Sequence, residues 1–291
     1  MRGPSVVLLA AATLLIAALP VTDTSPTSTW AGAQVSTIDA PQPDWYDDAL
    51  HEQVLSAAEQ GEGVALPDGV DVPASALAFT GIRPGSWMLF PAGCTLNFVF
   101  GSHPDAGPGG STSIGTAGHC VEVGDEVTIV AAPGILMSIG TTVTSVDNGI
   151  GDDFALIEIR DEMVQHVNPS TAYYGGPTTT GDPQFGDLVA HAGHGVAIGT
   201  GGTPRAGLVV YRGEGDGQRS DAFAWDGAAA PGDSGSFVVD LDGATAAGNL
   251  THLVVGGPYV PGVIAGTSIQ RMLEIAGQPL VTAPVGPDPT S

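Results

Sequence analysis

Lysine is absent from this 291-residue chain, and its seven arginines are set against 31 acidic residues. The formal net charge of −24 argues against nucleic acid and anionic lipid as partners, because both repel a surface of that sign. It marks a solvated acidic surface, and no catalytic meaning attaches to it. Aromatic residues are scarce at 6%, and cysteine is limited to Cys94 and Cys120. Long stretches of helical periodicity are missing too. The 43 glycines and 23 prolines suit short strands joined by turns. Beyond the N-terminal region no hydrophobic segment reaches membrane length, and no internal repeat is visible. What remains, 43% hydrophobic residues, is ample for a packed core in one large domain or two modest ones.

The chain opens with one arginine ahead of an apolar run from Val6 to Pro20, followed by a polar stretch rich in Thr, Ser and Pro. This is the layout of a secretory signal over residues 1–33, with Ala31–Ala33 as a small-residue cleavage site. An uncleaved anchor is the alternative, although the run is slightly short for a comfortable span. Both place the body outside the cytosol, secreted or tethered. In an oxidising compartment Cys94 and Cys120 read as a disulfide. Closing that loop of about 25 residues is worth roughly 3 kcal/mol in the chain-entropy model, and it would fix the backbone beside Cys120. Residues 34–78 are polar and acidic, with one short helix expected where Leu50, Val54, Leu55 and Ala58 recur at helical spacing before Gly61 and Gly63. In an exported protein this region is a propeptide, a folding aid or an N-terminal extension.

From about residue 79 the texture changes. Apolar runs of five to eight residues, bounded by Gly, Pro, Asp or Asn, follow one another without a helical period. Strands are expected at "CTLNFVF", "TSIGTA", "EVTIVAA", "GILMSIGTTVTSV" and "DFALIEI", then at "DLVAHAG", "AGLVVYRG", "DAFAWD", "GSFVVD", "THLVV" and "GVIAGTS". So many short strands predict an all-β barrel or sandwich. Near the end, "SIQRMLEIAG" places Ile269, Met272, Leu273 and Ile275 at helical spacing with Gly277 as a stop, and a proline-rich tail over 279–291 reads as flexible.

Three separated segments carry chemistry-bearing residues. In "TSIGTAGHC" His119 lies between Gly118 and Cys120; alone, it is as well read as an ordinary core histidine. In "APGDSGSFVVD" Ser234 is flanked by Asp233 and Gly235, with Gly232 just before. A serine needs a base to become a nucleophile, and glycines around it let backbone N–H groups converge on one point. A glycine-rich turn is the plainer reading of that segment. In "DDFALIEI" an acid immediately precedes an apolar strand, well placed to orient an imidazole.

Together, "TAGHC", "DFALI" and "GDSGS" follow the order His, Asp, Ser, and the chain resembles the chymotrypsin/trypsin-like serine proteases. It looks most like their bacterial secreted branch, streptogrisin-like or glutamyl-endopeptidase-like. The run "GCTLNFVF" fits that branch as well, where the cysteine of the first strand bridges to the one after the histidine. The resemblance covers about residues 79–278. It implies two packed six-stranded antiparallel β-barrels, about 79–185 and 186–278, with a C-terminal helix. It also implies a triad of His119, Asp153 and Ser234, with Asp153 preferred over Asp152 because it directly precedes "FALI". The N–H groups of Gly232 and Ser234 would form the oxyanion hole, and Cys94 and Cys120 the disulfide.

Departures from the family pattern matter. No "IVGG" start is present, so Asp233 needs a partner other than a new N-terminus, and Arg205 and Arg212 are the candidates. Six residues before the serine, at the base of the family's primary pocket, stands Ala228, which cannot pair with a basic side chain. Apolar, small or acidic side chains remain. His252 falls near the pocket histidine of glutamate-specific relatives, but Ala229 lacks the hydroxyl those relatives supply. His191 and His194 have loose metal-ligand spacing without a supporting cluster and read as loop or cleft-wall residues. The expectation is a secreted, monomeric serine endopeptidase that acts on protein or peptide and uses no cofactor or metal. Residues 34–78 could keep it latent. A catalytically silent protease-fold binding or cell-envelope protein is the alternative.

Overall fold

The computed structural model describes residue 30 and residues 32–72, 74–77, 79–102, 111–195, 203–257 and 259–286. The expected export signal lies almost wholly outside these residues. Among the described residues no helix is long and apolar enough to cross a membrane.

The molecule is all-β, built on two curled sheets. The first has eight strands. In hydrogen-bonded order it runs Cys94–Thr95, Trp87–Phe90, Glu126–Ala131, Ile135–Asp147, Asp153–Ile159, Thr112–Thr116 and Val99–Gly101, with Val64–Ala65 paired to Ile135–Asp147 off that path. The second has nine strands: Ala33–Thr37, His252–Gly256, Tyr259–Thr267, Ala222–Asp226, Pro204–Gly213, Leu188–Ala192, Phe237–Asp240, Thr245–Asn249 and Thr179–Thr180. The strands expected from the apolar runs all have counterparts in these two sheets. The sheets exceed the expected six strands each because short pieces join them. The pairs Val64–Ala65 and Thr179–Thr180 are too short to show an alternation, and Ala33–Thr37 is mostly exposed.

Phe100, Phe154 and Leu156 of the first sheet, with Phe98 just before its strand Val99–Gly101, meet Phe237, Val239 and Ala246 of the second, and Ile269 and Met272 of the C-terminal helix close the same cluster. That helix, Ile269–Ala276, is capped by the Ser268 side chain at its start and stopped by Gly277 in the left-handed conformation, φ +61°. Its Arg271 bonds Asp152 through both Nε and Nη2 at 2.8 Å, which ties the helix to the mouth of strand Asp153–Ile159.

One expectation about the ends of the chain changes, the flexible tail over 279–291, and residues 34–78 pack against the first sheet. The helix Asp48–Ala58 has Asp47 as its N-cap, and Tyr46 and Val54 are buried with Trp87, Leu89, Val130 and Leu136 of the first sheet. The Tyr46 hydroxyl donates to Thr128 Oγ1 at 2.9 Å. The tail is docked as far as Gly286, because Val281 and Ala283 are buried and their N–H groups donate to the carbonyls of Val99 and Pro177 at 2.9 and 2.8 Å. Residues 287–291 lie outside the described residues.

Candidate active site

Strand Asp153–Ile159 begins with a carboxylate that is completely buried. Its Oδ1 accepts the backbone N–H groups of Gly118 and His119 at 2.5 and 3.2 Å, and its Oδ2 lies 2.6 Å from His119 Nδ1. The Asp153 carbonyl is held in turn by Asn249 Nδ2 and Thr267 Oγ1, both at 3.1 Å. Gly118 is required by close approach, since a Cβ there would stand 1.9 Å from the Val146 carbonyl oxygen. Next to His119, Cys120 is joined to Cys94 in a disulfide.

The cysteine bridge reaches the serine as well. Thr95, the neighbour of Cys94, takes the Ser234 carbonyl with its N–H at 2.7 Å and the Gly232 carbonyl with its hydroxyl at 2.8 Å. Gly232 adopts φ +106°, a conformation glycine tolerates, and a Cβ there would meet the His194 carbonyl oxygen at 2.3 Å. Ser234 Oγ then sits 2.8 Å from His119 Nε2. With Asp153 ionised, the imidazole donates through Nδ1 and keeps Nε2 free to accept the serine proton.

Burial pulls the His119 pKa down, but the hydrogen bond and charge of Asp153, helped by the charges of Asp39 and Asp147, outweigh it and leave the group above its ordinary value. His252 packs edge-on against His119 with ring centroids 5.8 Å apart, 3.7 Å from Asp153 Oδ2 and 2.8 Å from Thr251 Oγ1. Burial, with His119 adding to it, holds the His252 pKa below its ordinary value against the pull of Asp153. The structure therefore sets His252 beside the imidazole.

The remaining candidates are placed as follows. Asp233, fully buried, forms a two-pronged pair with Arg205, Nη1 to Oδ2 at 2.7 Å and Nη2 to Oδ1 at 2.5 Å. Arg212 is engaged elsewhere, with Asp221 and with Asp182 at 3.1 Å. Ala228 is exposed and its carbonyl accepts from Arg205 at 3.3 Å, whereas the half-buried Ala229 packs against the apolar cluster beside the serine. His191 is fully buried edge-on to Trp225, and His194 stacks on Trp87 and meets the Gly85 carbonyl at 2.8 Å. Burial lowers the pKa of each to about 4, so both are neutral at pH 7. The metal-type donor cluster found among the described residues is Cys94, His119 and Cys120, and both of its sulfurs are committed to the disulfide.

The site is occupied by a residue of the 34–78 segment, Ile38. The N–H groups of Gly232 and Ser234 both donate to the carbonyl oxygen of Ile38, at 2.6 and 3.4 Å, and the Ile38 N–H donates to Ser234 Oγ at 3.2 Å.

No protein-family model matches the chain, and no curated protein does either. Among solved structures it is similar to bacterial chymotrypsin-like serine proteases. Protease A of Thermobifida fusca aligns with 70% of this chain and 98% of its own length at 19% identity, with a TM-score of 0.47. A glutamic-acid-specific serine protease, described as using a histidine triad in substrate binding, aligns with 69% of this chain and 100% of its own at 16% identity and a TM-score of 0.49. Cellulomonas bogoriensis chymotrypsin aligns with 69% and 98% at 17% identity and a TM-score of 0.46.

Proposed function

We propose that this protein is a serine endopeptidase working through Ser234, His119 and Asp153. The observation that carries the reading is the continuous relay from a buried carboxylate through an imidazole to a serine, beside a peptide carbonyl that two backbone N–H groups hold. Ser234 Oγ attacks the carbonyl carbon while its proton passes to His119 Nε2. The imidazolium, stabilised by Asp153, gives that proton to the departing amine, and water repeats the sequence to release the acyl group. General base catalysis of this kind contributes roughly 10²–10⁴-fold. Each N–H aimed at the developing oxyanion is worth roughly 10²–10³-fold. Neither step calls for a cofactor.

The test is covalent labelling with a fluorophosphonate probe, before and after limited proteolysis of the N-terminal segment, with Ser234→Ala as the control. Labelling that requires Ser234 supports the reading. Failure to label in either state would sink it and leave a protease-fold binding protein.

A further inference from the structure

Residues Ala33–Thr37 run into the site as a strand, antiparallel to His252–Gly256, with Val35 opposite Val254 and Thr37 opposite His252. Ile38 follows. Its side chain is 3% exposed and belongs to a cluster with Val189, Trp225, Leu250 and Ala229, while its carbonyl oxygen fills the space between the Gly232 and Ser234 N–H groups. Asp39 brings a carboxylate oxygen to 3.9 Å from His119 Nε2. Ala40 then exchanges two backbone hydrogen bonds with Gly93, each 2.7 Å. The chain is thus gripped on both sides of a single peptide bond, and that bond lies at the serine.

We propose that Ile38–Asp39 is a bond this protein cuts in its own chain, and that the uncut strand keeps other substrates out. The inference rests on the serine-peptidase reading above. A bond forms between Ser234 Oγ and the Ile38 carbonyl carbon as the serine proton moves to His119 Nε2. The bond from that carbon to the Asp39 nitrogen breaks, and the nitrogen leaves as an amine carrying the proton. One water, deprotonated by the same imidazole, then releases the Ile38 carboxylate and restores the serine.

The two sides of the cut are held unequally. Up to Ile38 the chain is secured by one strand pairing, whose side chains are mostly exposed, and by two buried side chains, Trp30 edge-on to Tyr211 and Ile38 in its cluster. From Asp39 onward it keeps the Ala40–Gly93 pair, the Tyr46–Thr128 hydrogen bond and the buried face of helix Asp48–Ala58. The released piece is therefore the segment ending at Ile38, and residues 39–78 stay with the body. Its departure bares the edge of strand His252–Gly256, where an extended peptide can pair in the same way. The apolar pocket left by Ile38 then selects an aliphatic side chain immediately before the scissile bond.

The full chain is incubated at two concentrations, and its N-terminus and intact mass are followed with time. The expected product begins at Asp39, forms at a rate independent of dilution, and is absent from Ser234→Ala. Asp39→Pro keeps Ile38 in its pocket but removes the ordinary leaving amide, so it stays uncut and unreactive to a fluorophosphonate. Ile38→Glu cannot seat a charge in that pocket. It stays uncut at this bond and labels at least tenfold faster than the uncut parent. A parent without an Asp39 N-terminus, whose Ile38→Glu variant nonetheless labels at Ser234, overturns the inference and leaves the peptidase reading standing. If neither parent nor variant labels, the peptidase reading falls and takes the inference with it.

Discussion

Arg205→Met removes the counter-charge beneath the serine loop while keeping much of the side-chain volume. Asp233 is wholly buried, and besides Arg205 its oxygens accept, among the described residues, the N–H groups of Gly195 at 2.9 Å and Ala230 at 2.8 Å. Stripping one partner from such a pair leaves a charge in the interior and costs about 3–5 kcal/mol. The two N–H groups still stabilise the carboxylate, which favours the lower end, about 3 kcal/mol. At about 2–4 °C per kcal/mol for a domain of this size, Tm falls by about 6–12 °C. Thermal and urea unfolding of the parent, Arg205→Met, Asp233→Asn and the double variant form a cycle. The double variant should recover most of the loss, because the neutral amide needs no cation. A change under about 1 kcal/mol for Arg205→Met, or a double variant no more stable than that single one, would refute the reasoning. Arg212 offers no rescue, being already engaged by Asp221 and Asp182.

Asp153→Asn lowers kcat/KM by roughly 10⁴-fold on a peptide ester, by leaving the imidazole in the wrong tautomer; an effect under tenfold counts against the relay. In the parent, His119 must be neutral to act, and its pKa is raised, so kcat/KM of the cut form climbs with pH through a midpoint above the usual histidine value, and a midpoint at or below that value contradicts the electrostatics. His191 and His194 titrate near 4 when folded against 6.5 unfolded. The unfolded chain therefore binds their protons first, and their stability, fully present above 6.5, drains away as pH falls toward 4, by about 3 kcal/mol for each histidine. Urea midpoints between pH 7 and 4 read this directly, and His194→Gln should flatten part of the slope. Replacing Cys94 and Cys120 by serine costs roughly 3 kcal/mol and lowers turnover as well, since the bridge links the Thr95 contact with Ser234 to His119; unfolding and initial rates together check both halves.

Apolar runs of five or more residues between turn residues were legible because both the run and its boundaries are local properties. Asp153–Ile159 and Glu126–Ala131, buried almost throughout, declare themselves in this way. Trp87–Phe90, a run of only four residues, did not. Thr245–Asn249 did not either, since its alanines and glycine carry little strand signal. Of the site, the residues legible in advance are those whose surroundings are written beside them: glycine before His119, glycines about Ser234, an apolar run after Asp153.

Residues placed by counting from the serine fared differently. In an extended segment an offset of one residue turns a side chain to the opposite face, which is why Ala229 rather than Ala228 meets the apolar cluster. Ile38 was beyond reach for a further reason. Nothing in "QVSTIDAP" distinguishes its isoleucine from any other in a loosely patterned stretch, and its partners lie 196 positions away, on Ser234. A substrate-like strand is defined by what it pairs with. Here that partner is an edge strand left open by the second sheet, so the same geometry that lets the site receive an extended peptide makes the protein's own N-terminal segment, tethered and at high effective concentration, the first peptide to occupy it.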